Sequence, residues 1–459
     1  MMLTLVLLAC HGAWLLRAEV TTLHTFIGSD SAQPLAGLVS SGNTLYGTTD
    51  GSVSYTGTVF SINADGTDFK LLHVFNYITD GDGLDAELTL SGDTLYGTAN
   101  IGGNAPLEPF KFGTIFKLKT DGTGFTKLYT FTGKTDGAWP HAGLVLSGNT
   151  LYGSASQGAI SNSGTLFAIN TDGTGFRVLH AFSGQDGTRP FSTMVLSGET
   201  LYGTTSVGGA FGDFGTIFKI NTDGSGFTTL YNFSGDDGAY PGALTLVGDT
   251  LFGGLGGAIS PATGTRLSQI FSIKTDGTSF THLYNFASAN TNSSGIYTNS
   301  DGAFPISGLL LSNNTFYGTT AAGGILGCGT VFALSTNGNR LTQLHSFTRM
   351  DGRLPLCALL LLGDTLYGTT VMGGQSNLGS VFSISLAPKL MIDTSGRNML
   401  LSWPTNYAGI DYSGYALQSS TSLALPVWST NLPAPDIVNG QNTVTTPLSG
   451  AQQFFRLGQ

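Results

Sequence analysis

Apolar and polar residues alternate along most of this chain in short runs, and Gly, Asn, Asp and Ser separate the runs. Alternation with a period of two predicts half-buried β-strands. The runs are of four kinds and recur in a fixed order. The first is an apolar run ending in a turn, as in Gly143-Leu144-Val145-Leu146-Ser147-Gly148. The second is Leu-Tyr-Gly-Thr-Thr, as at Leu201 to Thr205. The third is Gly-Thr-Val/Ile-Phe with an alternating tail, as in Gly215-Thr216-Ile217-Phe218-Lys219-Ile220. The fourth is an aromatic-rich run such as Phe227-Thr228-Thr229-Leu230-Tyr231-Asn232-Phe233. Each run is rich in β-branched and aromatic residues, which suit a pleated, half-buried surface.

The second run, or a close variant, starts at Leu45, Leu95, Leu151, Leu201, Leu251, Phe316 and Leu366, in steps of 50, 56, 50, 50, 65 and 50 residues. A period of this size marks a repeat architecture, and four antiparallel strands per repeat predict the blades of a β-propeller. The first three runs occur seven times. The fourth follows only six of the third runs, and one further copy, Leu23-His24-Thr25-Phe26, stands alone before the first repeat. The expectation is an all-β, seven-bladed propeller over residues 19–387, closed by the N-terminal strand completing the last blade. Closure removes the exposed strand edges of an open array.

Leu-Tyr-Gly-Thr-Thr, Gly-Gly, Gly-Thr-Val-Phe, Leu-His/Tyr-x-Phe and Asp-Gly-x-x-Pro-x-Ala-Gly-Leu, read in that order, resemble the GloVer (Gloeo/Verruco) tandem-repeat family. That resemblance implies an exported bacterial propeller-like protein and no particular activity. The fifth repeat departs most, with Leu251-Phe252-Gly253-Gly254, and its blade is expected to be less regular. After Leu386 the repeat stops. Residues 388–459 hold short strand-like runs with Trp403, Trp428 and Phe454-Phe455, and resemble the small Ig- or fibronectin-like β-sandwiches that end some exported bacterial proteins.

Charged residues make up only 10% of the 459 residues, Gly accounts for 67, and the net charge is −10. Low charge and abundant Gly fit strands and tight turns. The acidic balance, without any Lys/Arg cluster, argues against a nucleic-acid partner. Residues 1–18, an apolar run ending Leu16-Arg17-Ala18, read as a signal peptide, with Leu7-Leu8-Ala9-Cys10 as a lipobox alternative. No other stretch is long and apolar enough to span a bilayer. The expectation is a monomer, extracellular or at the cell surface, with the periplasm as the other compartment. Cys328 and Cys357 remain after the leader; they read either as a disulfide or as two separate buried thiols.

Strand alternation sorts the loops onto two faces. First-to-second and third-to-fourth turns keep their lengths and carry hairpin chemistry. The second-to-third and blade-to-blade loops vary in length and share the other face, the expected binding face. Blade-to-blade loops carry Asp-Gly at Asp82, Asp136, Asp186, Asp237, Asp301 and Asp351, and turn formation is the preferred role for these Asp. Before the loop Pro, Trp139, Arg189, Tyr240 and Phe304 are candidate ligand contacts. Asp80, Asp82, Asp85 and Glu87 are dense enough in oxygen to be a candidate calcium loop. His24, His73, His180 and His345 exchange with Tyr at one place in the fourth run, which argues against a metal role; His141 stands alone in a variable loop. No Gly-x-Ser-x-Gly, zincin or phosphate-loop motif is present. The sequence therefore points to a non-catalytic binder of glycan or protein. A glycan hydrolase or lyase with acidic residues at the channel mouth and a structural or adhesion protein are the alternatives. Calcium is the one cofactor that the sequence suggests.

Overall fold

A computed structural model describes residues 20–458, apart from 52–55, 104–111, 160, 260–265, 289, 292–295, 396, 408–409, 413, 423–426, 431 and 448–452. The expected signal segment, residues 1–18, lies outside the described residues. The described secondary structure is strands and turns, and every strand pair is antiparallel.

The repeats form seven four-stranded sheets. The fourth blade shows the pattern, with strands Val195–Ser197, Thr200–Thr205, Thr216–Asn221 and Thr228–Asn232 in sequence order. Gly203 pairs with Phe218, and a Cβ on Gly203 would stand 2.5 Å from the tip of that ring. The Gly of Leu-Tyr-Gly is therefore space made for the Phe of Gly-Thr-Val-Phe, and the two motifs are one contact.

The Thr after that Gly links blades. Thr48, Thr98, Ser154, Thr204, Thr319 and Thr369 donate to the carbonyls of Ala86, Ala142, Pro190, Gly242, Cys357 and Ala36, each in the following blade, at 2.8–3.2 Å. Thr369 to Ala36 spans 333 residues and joins the seventh blade to the first. In the fifth blade Gly254 takes this place, where a Cβ would lie 1.5 Å from the Pro305 carbonyl oxygen. There the neighbouring backbone comes too close for a side chain.

The ring closes as expected. Val20–Thr25 pairs with Ser380–Ser385, Val20 opposite Ile384 and Thr25 opposite Ser380. Closure is also apolar: Phe26, Leu45 and Phe60 share a buried cluster with Tyr367 and Val381. Equivalent clusters join every other pair of consecutive blades, for example Tyr202 and Ile217 with Leu251 and Phe271. The fifth blade is the least regular of the seven, as the sequence implied. It is four-stranded and carries longer strands, Thr250–Ile259 and Arg266–Lys274, with register shifts at Pro241/Leu244 and Gly256/Ala258.

Beyond Leu386, Met391–Ser395, Asn398–Pro404, Gln441–Pro447 and Asp436–Val438 form one sheet, while Ala416–Ser420 pairs with Phe454–Gly458. Leu401, Trp403, Leu417 and Val444 are the buried centre of this region, with Phe455 and Leu457 packed against them. It rests on the ring. The Tyr412 hydroxyl donates to the Leu386 carbonyl and the Tyr415 hydroxyl to Asp364, while Tyr407 and Ile410 pack on the core between the sixth and seventh blades.

Candidate functional site: the cup on the ring axis

The recurring Asp are rim clamps. Asp136 accepts from the Tyr129 hydroxyl at 3.0 Å, the Thr132 N–H at 2.8 Å and the Thr132 hydroxyl at 2.6 Å. Asp186 makes the same set with His180 and Ser183, and Asp351 with His345 and Thr348. The clamped ring often stacks on the Phe of the next blade's third-to-fourth turn, as His180 does on Phe227 with centroids 3.6 Å apart. Burial would raise the Asp186 and Asp351 carboxyls, but hydrogen bonds from His and from Ser or Thr outweigh it and hold both below the usual range. This confirms the turn role and explains the His/Tyr exchange: either side chain donates to the Asp and stacks.

One assignment changes. In the second blade the clamp is Asp80, bound to His73 at 3.2 Å and to the Asn76 N–H at 3.1 Å, not Asp82. Asp82 aligns with Ala138 of the third blade, since Asp82 bridges Ile101 as Ala138 bridges Gln157. Asp82 instead accepts from the Gly57 and Gly83 N–H groups at 2.8 and 3.0 Å. The proposed calcium loop is thereby taken apart. Asp80 faces the rim, Asp82 the first blade, Asp85 a cup on the axis, and Glu87 the channel beside Gly37. The four carboxyls do not converge on one centre. Among the described residues no group of three or more His, Cys, Asp or Glu is arranged to hold a metal.

The residue before the loop Pro has positive φ in six blades, 54–62° at Gln33, Trp139, Arg189, Tyr240, Phe304 and Leu354, and Gly83 takes the place in the second blade. An L-residue there costs roughly 1–2 kcal/mol, and hydrogen bonds hold it. The Trp139 N–H donates to Phe112 of the preceding blade at 2.9 Å, and its carbonyl accepts from Ser156 at 3.0 Å. The backbone thus staples two blades and leaves the side chain free to vary. Of the four candidate ligand contacts, Tyr240 and Phe304 line the cup; Trp139 and Arg189 do not.

The residue after the Pro, or its equivalent, points to the axis in every blade. Leu35, Asp85, His141, Phe191, Gly242, Ile306 and Leu356 form a collar around an open cup of about 810 Å³. Tyr240, Phe304 and Tyr297 add to the wall on the side of the fifth and sixth blades. Tyr240 is 41% exposed on that side, and Phe191 of the fourth blade is 39% exposed beside His141, their ring centroids 4.8 Å apart, so the cup presents aromatic surface to solvent in both places.

The opposite side is polar. His141 Nδ1 and Asn100 Nδ2 both lie 2.6 Å from Asp85 Oδ2. The first distance fits an Nδ1–H donor. Asp50 stands close enough to Asp85 to feel its charge. Burial first, then the charges of Asp85 and Asp82, push Asp50 up to about 7, against a smaller opposing effect of His141. Two residues beyond Asp85, on the same face of the extended segment, Glu87 enters the channel. A Cβ on Gly37 would be 3.2 Å from the Glu87 carboxyl carbon. Burial alone raises Glu87 to about 7.

Sequence reasoning did not single out Asp50 or Asn100, and it set His141 aside as a lone His in a variable loop. The signal was their departure from the repeat. Asp50 and Asn100 stand where other blades carry Ser156, Ser206, Ala321 and Val371, and His141 where they carry Leu35 or Phe191. Cys328 and Cys357 do not pair. They are separate buried thiols, Cys328 directed at the Leu326 carbonyl at 3.6 Å and Cys357 at the Thr369 carbonyl at 3.3 Å. Cys357 lies on the inner first segment and Cys328 at the outer end of a loop, which keeps them apart.

A family profile described as "Gloeobacter/Verrucomicrobia repeat" matches residues 15–213, 108–266 and 291–398. No curated protein matches the chain. Among solved structures, hydrazine synthase from Kuenenia stuttgartiensis superposes with a TM-score of 0.51 at 13% identity, over 78% of this chain and 97% of that one. Oligogalacturonate lyase from Vibrio parahaemolyticus does so with a TM-score of 0.50 at 11% identity, over 81% of this chain and 94% of that one. Identities this low speak for the fold alone. No described helix is long and apolar enough to cross a membrane.

Proposed function

This chain belongs to the Gloeobacter/Verrucomicrobia repeat family, and we propose that it is an exported, non-catalytic glycan-binding protein whose ligand enters the axial cup. The cup itself carries the reading. It is ligand-sized, open on the face of the variable loops, aromatic on one side and lined with hydrogen-bonding groups on the other. A sugar ring has an apolar face that suits Phe191 and Tyr240, and hydroxyls that suit Asp85 and His141. Export is supported by the apolar N-terminal run ending at Ala18.

The hydrolase reading meets a geometric objection. Hydrolysis by two carboxylates needs them about 5–10 Å apart with the scissile bond between them, whereas among the described residues that line the cup Asp85 is the single carboxyl. A glycan array probed with the mature chain and with Ser206→Trp, which fills the cup, tests the proposal. Binding that disappears in Ser206→Trp supports it. Binding that persists places the ligand elsewhere, and absence of any hit removes the glycan assignment.

A further inference from the structure

We infer that the sugar taken by the axial cup carries a positively charged amino group, seated between the exposed aromatic wall and the Asp85 carboxylate. This rests on the glycan reading above and specifies the ligand's charge.

Three observations lead there. The collar is acidic in one sector only: Asp85 lines the cup, Asp50 and Asp82 stand behind it, and His141 is the one basic side chain among the groups acting on Asp50. Other blades put Leu35, Ile306 and Leu356 at the Asp85 position, so the ring does not require acid there. Second, Phe191 and Tyr240 expose ring surface to the same cavity. An aromatic face and a carboxylate in one partly dry cup are the two elements that hold an ammonium group. Third, Glu87 adds a further carboxyl in the channel beneath, and no hydrogen bond to it is formed among the described residues. Burial and the neighbouring charges of Asp85 and Asp82 raise the Asp50 carboxyl to about 7, so near neutral pH it carries a proton in part. An ammonium group against Asp85 offsets those charges, so its arrival releases that proton from Asp50 to solvent.

The experiment is calorimetry of the mature chain at pH 5.5, where the amino groups are already charged, with a chitosan tetramer and with its fully N-acetylated counterpart, in two buffers of different ionisation enthalpy. The expected results are about tenfold tighter binding of the amine form, in the range of a desolvated cation–π contact, and proton release on binding. Asp50→Asn should abolish the release. Asp85→Asn should remove the preference, with an unchanged thermal melt showing that the ring is intact. Equal or tighter binding of the acetylated tetramer overturns the inference and leaves the glycan reading standing. Binding of neither overturns the inference, while the glycan reading then stands or falls on the array. Tighter binding of the amine form that survives Asp85→Asn also overturns it, because the charge is then read elsewhere.

Discussion

Asp136 at the rim and Asp85 at the axis belong to the same class of loop, yet they carry different kinds of information. The rim Asp recurs in every blade with the same partners, a ring donor from the fourth strand and the N–H just beyond it, as in Asp136, Asp186 and Asp351. The collar position holds Leu, Asp, His, Phe, Gly, Ile and Leu in turn. A residue repeated around the ring answers a demand that each blade makes. A residue that differs is released from that demand and is free to meet a ligand. The pre-Pro position has both characters: its backbone is repeated and its side chain is not.

The largest effect should come from breaking closure. Deleting Val20–Thr25 strips the fourth strand from the seventh sheet and bares the edge of Ser380–Ser385. Size-exclusion chromatography should then show association or aggregation. A monomeric deletion variant with an unchanged melt would mean that closure by this strand is dispensable.

Next is the rim. Asp136→Ala removes three hydrogen bonds from a buried carboxylate and should cost about 2–4 kcal/mol in denaturant unfolding. Asp172, whose carboxylate is exposed and bonds only locally to Thr174, is the control. Asp172→Ala should shift the unfolding midpoint much less. Equal effects would mean that the clamp adds nothing to ordinary turn chemistry.

The channel should give a pH signature. Glu87 is raised from 4.5 to about 7 by burial, so the fold binds its proton more tightly than the unfolded chain does. Its contribution to stability is complete below about pH 4.5 and is lost as pH rises through 7. Asp50, raised from 3.8 to about 7, acts in the same direction. Glu87→Gln should therefore be more stable than the parent at pH 8, by at most about 3 kcal/mol, and indistinguishable from it near pH 4. A gain that is equal at both pH values would show that the carboxyl is not charged against its surroundings.

Most of the ring was legible in the sequence because each blade repeats the same short-range chemistry. Gly203 opposite Phe218 and the orphan strand at Leu23 to Phe26 are visible as motif and count. The collar was not legible, because its members are far apart in sequence: Asp85 and His141 are 56 residues from each other. The run Asp80-Gly81-Asp82-Gly83 hid the register as well. It contains Asp-Gly twice, and Leu84 replaces the Pro that marks the loop in other blades. Choosing Asp82 as the clamp moved the alignment by two residues and concealed that Asp85 and Glu87 share one face toward the axis.

The central claim is that residues departing from the repeat bind and repeated residues hold the ring. Its most direct test is to return the polar sector to the residues other blades use, with Asp50→Ser, Asp85→Leu, Asn100→Ser and His141→Leu in one chain. Calorimetric titration with the best glycan-array ligand, beside a thermal melt, reads both halves of the claim. The account predicts an intact fold, with a melting temperature at or above that of the parent, and no detectable binding. Binding within twofold of the parent, or a chain that no longer folds, would contradict it.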